Sequence, residues 1–288
     1  MLALLLIATA FGANHVLARL AFDDGANVLA AVVVRSTATA LAVLSLLHWT
    51  RSSLRLPPGT GLAALATGAL VAVQSVCLYS AVARLPVALA LLTFNTFPIL
   101  LAVVSWLAGG ERPARRTVAA MPVALVGLAI ALDVPATLAG GTMPSPSGIA
   151  FALCGSCAFA VALHLTSTRL GHVDGRLRTA VTMATVAVLA FAVAPLAGGF
   201  AWPRSTPGWV GLALLTVVYG AAITSLFTVL PRLGAVNNAA IMNFEPVAAL
   251  VLGWAVLGQR LGPAQLAGGA IVIVAILLLT WSPRRGRG

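Results

Sequence analysis

Residues 84–112 read RLPVALALLTFNTFPILLAVVSWLAGGER, and residues 232–260 read RLGAVNNAAIMNFEPVAALVLGWAVLGQR. The second segment aligns with the first without a gap, at a constant offset of 148 positions (from 84 to 232). Apolar residues match by chance in so hydrophobic a sequence, but polar, proline and tryptophan residues also match in this one register. The chain therefore contains an internal duplication. The identical pairs that carry it are Arg84 with Arg232, Leu85 with Leu233, Asn95 with Asn243, Pro98 with Pro246, Trp106 with Trp254, Gly110 with Gly258, and Arg112 with Arg260.

The composition indicates an integral membrane protein. Of the 288 residues, 60% are hydrophobic and 8% are charged, and the mean hydropathy is +1.04. A soluble domain has about 25% charged residues, so this chain has too few to cover its own surface. The formal net charge of +11 does not indicate nucleic-acid binding, because the basic residues are distributed through short loops and not gathered on a polar domain.

The sequence predicts ten membrane helices, since a spanning helix needs about 20 predominantly apolar residues. An odd number of helices in each half makes the second half enter the membrane from the opposite side. We therefore expect an all-α membrane protein of two inverted five-helix repeats, residues 1–138 and 148–288, joined by an external linker at 139–147. The predicted helices are Leu2–Leu20, Ala26–His48, Gly59–Ala83, Pro86–Ala108, Arg116–Leu132, Ser147–Thr168, Arg178–Leu196, Gly208–Leu230, Ala235–Leu257 and Pro263–Trp281.

The loop arginines predict the orientation. Twelve lie in one set of alternate loops and the C-terminal tail, and three lie in the other set. Because basic loops stay on the cytoplasmic side, we expect a multi-pass protein of the cell (inner or plasma) membrane with both termini in the cytoplasm. The twelve are Arg51, Arg55, Arg112, Arg115, Arg116, Arg169, Arg176, Arg178, Arg232, Arg284, Arg285 and Arg287, and the three are Arg84, Arg204 and Arg260.

The duplicated segment resembles the drug/metabolite transporter superfamily, specifically its EamA-type ten-helix exporters. Pro98 followed by Gly-Glu-Arg at 110–112 is similar to the family's proline-containing fourth helix and its closing motif. Pro246 followed by Gly-Gln-Arg at 258–260 is similar to the second copy, with Gln259 where the family usually has Glu. This departure weakens any functional role for a carboxylate in that loop.

The resemblance implies a function and a mechanism. We expect a secondary-active transporter that exports amino acids or related small metabolites from the cytoplasm by alternating access, without ATP or a cofactor. A drug or other-metabolite exporter of the same fold is the alternative. The expected partners are the small-molecule substrate and the lipid bilayer, in a monomer or homodimer, and proton coupling is left open.

Two ionisable residues are predicted deep in the membrane, Arg35 in the second helix and Glu245 in the ninth. At a rise of about 1.5 Å per residue, they lie at similar depths. A charge in this region is expensive unless it faces a cavity or a partner. The sequence therefore predicts a structural ion pair between them, with the alternatives that Glu245 titrates during transport or that Arg35 meets a substrate carboxylate.

The duplicated prolines predict irregular helices near the middle of the membrane. Pro98 and Pro246 each remove a backbone donor and clash with the preceding turn, so both helices should kink. Asn95 and Asn243 precede these prolines by three residues. Their amides either satisfy the freed backbone or bind substrate, and the sequence favours neither reading.

Further polar and aromatic residues in apolar spans complete the predicted substrate site. Hydrogen bonding to neighbouring helices is the alternative role for each polar one. Histidine titrates near neutral pH, so His15 and His164 bear on the question of proton coupling. Without Trp in the central helices, we expect a pocket that accepts mixed amino acids. The predicted substrate-binding residues are Asn14, His15, Gln74, Tyr79, Asn95, Phe97, His164, Asn243 and Glu245.

An intramembrane enzyme is the competing function from a different class. Such chemistry needs a nucleophile with a base, paired acids or a metal cluster. The sequence has only six acidic residues and lacks the corresponding motifs. Cys154 and Cys157 have the spacing of a redox or metal pair. They lie within an apolar run, however, and we interpret them as small residues at a contact between two helices. We therefore expect no catalytic residues and no metal site.

Overall fold

The computed structural model describes residues 1–82, 84–85, 87–110, 113–139, 144–257 and 261–280. These residues form helices and connecting loops, and none of them is assigned to a strand, which confirms the predicted all-α class. The helices are α1 (Leu2–Asp23), α2 (Val28–Trp49), α3 (Gly61–Val82), α4 (Val87–Phe94), α5 (Phe97–Leu107), α6 (Arg115–Ala131), α7 (Val134–Ala139), α8 (Pro146–Thr168), α9 (Gly175–Val193), α10 (Thr206–Leu233), α11 (Ala235–Asn238), α12 (Phe244–Leu257) and α13 (Pro263–Thr280).

Eight stretches of the described chain are helical, long and apolar enough to cross a membrane. Two more helices correspond to the other predicted spans: α6 has 17 residues, and the apolar part of α13 is Pro263–Leu278. The total of ten membrane helices therefore stays a prediction. The eight stretches are Leu2–Asp23, Val28–Trp49, Gly61–Leu78, Leu89–Leu107, Pro146–Thr168, Gly175–Ala197, Thr206–Leu233 and Ala235–Val256.

The helices pack mainly in pairs drawn from the two halves of the chain. Helix α1 packs on α10 and α12, and α3 packs on α8 and α9. Helix α2 packs on α9 and α10, and α6 packs on α13. The core therefore lies between the halves and not within either of them.

Glycines allow these pairs to approach at backbone distance. A Cβ on Gly12 of α1 would lie 2.8 Å from the backbone nitrogen of Ala249 and from the carbonyl oxygen of Glu245, both in α12. A Cβ on Gly268 of α13 would lie 2.2 Å from the backbone nitrogen of Ala131. Small residues are the usual means of close helix packing in a membrane, where apolar lipid supplies little drive for association.

The fourth predicted span is interrupted next to its proline. Helix α4 ends at Phe94, α5 begins at Phe97, and Pro98 lies in the first turn of α5, where a missing N–H is tolerated. Asn95 lies in the break, and its side-chain nitrogen donates to the carbonyl oxygen of Leu91 at 2.9 Å. This amide therefore helps to satisfy the local backbone.

The ninth predicted span is irregular at the equivalent position. A 3-10 segment, Ala239–Asn243, precedes α12, and Pro246 is the third residue of that helix. The Asn243 side chain is 1% exposed, and its Oδ1 accepts no hydrogen bond from the described residues. The two duplicated asparagines thus have different environments.

A carboxylate connects two loops at one end of the bundle. Asp24, after α1, accepts hydrogen bonds from the backbone nitrogens of Arg204 and Ser205 at 2.8 and 2.7 Å. The Ser205 hydroxyl donates to the same carboxylate at 2.7 Å. These bonds, chiefly those from Ser205, hold the pKa of Asp24 below its ordinary value. The charged carboxylate therefore ties the α1–α2 loop to the start of α10.

Arg178 is not the loop residue that the sequence suggested. It lies in α9, is 2% exposed, and donates to the carbonyl oxygens of Thr166, Leu170 and Phe227. A buried guanidinium needs several such acceptors, and these come from α8, the loop after it, and α10. Arg178 therefore joins three segments and carries no information about orientation.

We predict that Gly12→Ala destabilises the protein. The added methyl group would meet backbone atoms of α12, which cannot move aside as a flexible side chain does, and such overpacking costs about 1–3 kcal/mol. Thermal unfolding in detergent measures the effect. Gly61→Ala is the matched control, because nothing lies within 4 Å of its added Cβ. Equal melting temperatures for the two variants would contradict the close α1–α12 contact.

Candidate functional site

A cavity of about 80 Å³ lies at the centre of the described helices. Its walls come from both halves of the chain, including α1, α2 and α3 on one side and α8, α10 and α12 on the other. Five of the predicted substrate-binding residues line this cavity together. They are Asn14, His15, Gln74, Phe97 and Glu245.

One wall of the cavity carries a histidine–carboxylate pair. His15 Nε2 lies 2.7 Å from Glu245 Oε1, and the two side chains are 39% and 20% exposed. Helix α1 presents His15, and the first turn of α12 presents Glu245 directly after the irregular 3-10 segment. The backbone contact at Gly12 fixes the spacing between these two helices. An imidazole and a carboxylate are therefore in direct contact at the wall of the cavity.

Arg35 supplies the opposite charge in the same cavity. It is 8% exposed, and its guanidinium carbon lies 3.9 Å from the ring centroid of Tyr219. The Tyr219 ring in turn meets Phe11 edge to face, with centroids 5.9 Å apart. A cation over an aromatic face is stabilised by about 0.5–2 kcal/mol. This stacking holds the Arg35 side chain beside the cavity.

The predicted ion pair between Arg35 and Glu245 stays a prediction. Both side chains line the central cavity. The ion pair recorded for Glu245 is with His15. The cavity thus brings together one cation, one carboxylate and one titratable imidazole.

A cluster of three phenylalanines forms an apolar wall. The centroids of Phe97 and Phe159 are 4.9 Å apart, and Phe94 lies 5.8 Å from each of them. Phe94 was not among the residues predicted from the sequence. It lies next to Asn95 in the duplicated segment, but a phenylalanine in an apolar run carries no signal that separates a cavity wall from lipid contact.

Asn14, a residue of the cavity wall, has a buried acceptor without a partner among the described residues. Its side chain is 4% exposed, lines the cavity, and has an Oδ1 that accepts no hydrogen bond from the described residues. A buried amide oxygen without a donor is unfavourable by about 1–3 kcal/mol.

The other predicted residues lie outside the central cavity or outside the description. Asn95 lines a second cavity of about 220 Å³, which His15 and Glu245 also line. His164 lines a third cavity of about 240 Å³ and lies 3.0 Å from the Ser105 hydroxyl. Asn243 is buried beside α12. The side chain of Tyr79 and the loop motifs at 111–112 and 258–260 fall outside the described residues.

A larger opening lies to one side of the central cavity. It has a volume of about 740 Å³ between α2, α3 and α9, and its lining is mostly apolar. Ser75 of α3 lines both this opening and the central cavity. The larger opening has Asn27, Ser75, Ser80 and Arg84 but no carboxylate among its described lining residues, whereas the central cavity has both Arg35 and Glu245. The larger opening is therefore the weaker candidate for the substrate site.

Comparison with known proteins relates the whole chain to one family. The model of a family described as the EamA-like transporter family matches residues 1–132 and again residues 146–281. A solved crystal structure aligns with 96% of this chain and 94% of its own, with a TM-score of 0.76 at 16% sequence identity. At that identity the likeness concerns the fold alone. No curated protein matches the chain.

We predict that the charges of the cavity are energetically coupled. Glu245→Gln and His15→Gln should each lower the melting temperature, and so should Arg35→Gln. The double variants with Glu245→Gln should lose less than the sum of their single changes, by about 0.5–3 kcal/mol, because removing both partners leaves no unpaired charge. Thermal unfolding of the single and double variants gives two double-mutant cycles, one for His15 with Glu245 and one for Arg35 with Glu245. Additive changes in the Arg35 cycle would contradict the predicted Arg35–Glu245 pair.

Proposed function

The chain belongs to the EamA-like transporter family, and we propose that it exports amino acids or related small metabolites from the cytoplasm by alternating access. The family and the eight long apolar helices make it a multi-pass membrane transporter of small molecules. The proposal adds the substrate class and the direction of transport.

The single observation that carries the substrate class is the composition of the central cavity. In the proposal, Arg35 binds the carboxylate of the substrate and Glu245 binds its ammonium group. The wall of Phe94, Phe97 and Phe159 contacts an apolar side chain of the substrate. An amino-acid zwitterion must exchange its hydration for such groups, since hydrocarbon offers none. Both ends of the zwitterion therefore have a charged partner in one cavity.

The remaining predicted residues extend this site. In the proposal, Asn14 and Gln74 accept or donate hydrogen bonds at the bound substrate. Asn95 lines the second cavity, which shares His15 and Glu245 with the central cavity, and His164 lines the third cavity. In the proposal, both residues contact the substrate on its way to or from the central cavity. Tyr79 and Asn243 stay candidates for substrate contact in another state of the transport cycle.

The packing supports two inverted five-helix repeats. In the proposed assignment, the first repeat is α1, α2, α3, α4 with α5, and α6, and the second is α8, α9, α10, residues 235–257, and α13. If each helix is replaced by its equivalent in the other repeat, the α1–α10 pair becomes the α8–α3 pair. In the same way, the α1–α12 contact becomes the contact of α8 with α4 and α5. The α2–α9 and α6–α13 pairs map onto themselves. A two-fold relation between halves requires this pattern.

Individual close contacts support the same relation. A Cβ on Gly68 of α3 would meet Thr185 of α9, and one on Gly220 of α10 would meet Thr39 of α2, each within 3 Å. These contacts belong to the α3–α9 and α10–α2 pairs, which exchange of the repeats interconverts. We propose that the repeats occupy residues 1–138 and 148–288, with residues 139–147 as the linker, and that transport proceeds by motion of one half against the other.

A drug or other-metabolite exporter is the second candidate. The apolar cavity wall and the accessible Glu245 also suit an organic cation without a carboxylate. The two candidates differ in the role of Arg35, because only a substrate with an anionic group needs it.

We predict that the purified protein in liposomes catalyses counterflow of amino acids such as L-phenylalanine, L-methionine and L-threonine. Phe159→Ala should raise the KM for L-phenylalanine about 5–30-fold, since the lost apolar contact is equivalent to about 1–2 kcal/mol, and should leave the KM for L-threonine nearly unchanged. Phe191→Ala is the matched control, because that side chain is 63% exposed on α9.

Two outcomes would contradict this prediction. Absence of counterflow for every amino acid, together with transport of organic cations, would favour the drug or other-metabolite candidate. A similar loss of L-phenylalanine affinity in Phe159→Ala and Phe191→Ala would remove the phenylalanine wall from the substrate site.

We also propose that both termini are cytoplasmic. After Arg178 is set aside, eleven arginines on the predicted cytoplasmic side and three on the predicted external side still favour this orientation. The predicted result is fluorescence from a fluorescent protein fused after the last residue and no activity from alkaline phosphatase fused there. Phosphatase activity at that position would contradict the orientation.

A further inference from the structure

The larger opening between α2, α3 and α9 is walled by apolar side chains that the protein leaves uncovered. Val73, Val76, Leu189 and Val193 line it, and each of them is between 37% and 45% exposed. The protein crosses a membrane, so lipid chains cover such side chains where water would cover them in a soluble protein. The opening, of about 740 Å³, therefore has the surface chemistry of a site for hydrocarbon chains.

The length of the opening suits one lipid molecule. Along α3 its lining runs from Ala69 to Arg84, which is about 22 Å at a rise of about 1.5 Å per residue. The hydrocarbon core of a bilayer is about 30 Å thick, so the acyl chains of one leaflet extend about 15 Å. The opening therefore spans the acyl layer of one leaflet and leaves room for a headgroup at its end.

One end of the opening carries a cation that the fold holds in place. Arg84 is exposed, its Nη1 donates to the carbonyl oxygen of Ser80 at 2.8 Å, and its guanidinium carbon lies 4.8 Å from the ring centroid of Phe151. A guanidinium has five N–H donors, and among the described residues the carbonyl of Ser80 is the recorded acceptor for Arg84. The ion pairs of the described residues do not include Arg84. Its remaining donors therefore suit the oxygens of a phosphate group.

Neighbouring residues indicate that this end of the opening lies at the membrane surface. Asn27, just before α2, donates to the carbonyl oxygen of Gly199, which follows α9, at 2.9 Å. Consecutive spans alternate in direction, so the end of α3 with Arg84 lies on the same side as the start of α2. The rings of Trp202 and Trp209 stack on this side, with centroids 6.1 Å apart. Tryptophan is enriched where a membrane meets water, so Arg84 lies at the depth of lipid headgroups.

We propose that the larger opening binds one phospholipid with an anionic headgroup, whose phosphate pairs with Arg84 and whose acyl chain lies between α2, α3 and α9. In the proposed orientation of the protein this lipid belongs to the outer leaflet. The inference is independent of the substrate class, because the charged residues of the central cavity take no part in it.

The lipid site adjoins the central cavity and both halves of the chain. Ser75 of α3 lines the larger opening and the central cavity. Helices α2 and α3 come from the first half of the chain, and α9 comes from the second. A ligand that binds one arrangement of a protein more tightly than the others stabilises that arrangement. A lipid between these helices therefore favours the packing of α9 on α2 and α3 that the structure shows.

Photo-crosslinking of the wild-type protein tests this inference without any substitution. The probes are phosphatidylglycerol and phosphatidylcholine, each with a diazirine near the middle of one acyl chain, added to the purified protein in detergent micelles. Mass spectrometry of the digested protein then locates the adducts. We expect saturable labelling within residues 69–84 and 186–197. Phosphatidylglycerol should bind about 5-fold more tightly than phosphatidylcholine, because one basic residue near an anionic headgroup has an effect of about this size.

Two pairs of variants test the headgroup contact and the chain site separately. Arg84→Gln should weaken phosphatidylglycerol binding about 5-fold, whereas Arg204→Gln should not, because Arg204 is an exposed arginine on the same predicted side that does not line the opening. Val76→Trp should fill the opening and reduce labelling by both lipids. Val217→Trp is its control, since Val217 lies on α10 outside the opening. Both valines are exposed, so neither tryptophan disturbs the core.

Three outcomes would overturn the lipid site. Adducts spread over all lipid-facing helices in proportion to their exposure would show general boundary lipid only. Equal wild-type affinity for the two lipids, or equal losses in Arg84→Gln and Arg204→Gln, would remove the headgroup contact. A dimer joined through α3 and α9, without lipid adducts in the opening, would assign the opening to a second copy of the chain. Each of these results leaves amino-acid export standing, because the counterflow assay tests that proposal separately.

Discussion

Backbone polar groups inside a membrane must find partners within the protein, and this constraint explains where the helices of this chain are broken. Irregular backbone at membrane depth is tolerated only where it is buried or lines a cavity. The two interruptions that adjoin Pro98 and Pro246 meet this condition, because residues beside them, including Phe97 and Glu245, line the central cavity. The duplication of one proline-containing segment thus produces a cavity between the two halves.

The same low-dielectric surroundings give the cavity its chemistry. Arg35 is held over the Tyr219 ring, and Glu245 lies against His15, so a basic and an acidic side chain line the same cavity. The three phenylalanines give the same cavity an apolar wall.

The sequence predicted the large features of the fold and part of the site. Helix positions followed from hydropathy because lipid leaves few alternatives to a continuous helix, and the irregular fourth and ninth spans coincide with Pro98 and Pro246. Five polar or aromatic residues predicted for the site do share one cavity. The contact of His15 with Glu245 at 2.7 Å was not predicted, because depth contains no information about rotation around a helix axis. The pair of Arg35 with Glu245, which similar depth favoured, stays a prediction. Phe94 was not predicted for a related reason, because an apolar residue in a membrane helix suits contact with lipid and a cavity wall equally well.

Calorimetric binding of modified amino acids tests most directly whether the cavity recognises both ends of a zwitterion. The ligands are L-phenylalanine, its methyl ester, which lacks the carboxylate, and its N-acetyl derivative, which lacks the ammonium group. Each loss should weaken binding to the wild-type protein by about 10–100-fold, since a hydrogen bond to a charged group contributes about 1.5–3 kcal/mol. Arg35→Gln should abolish the difference between L-phenylalanine and the ester, and Glu245→Gln the difference between L-phenylalanine and the N-acetyl derivative. Equal wild-type affinity for all three ligands would contradict the account.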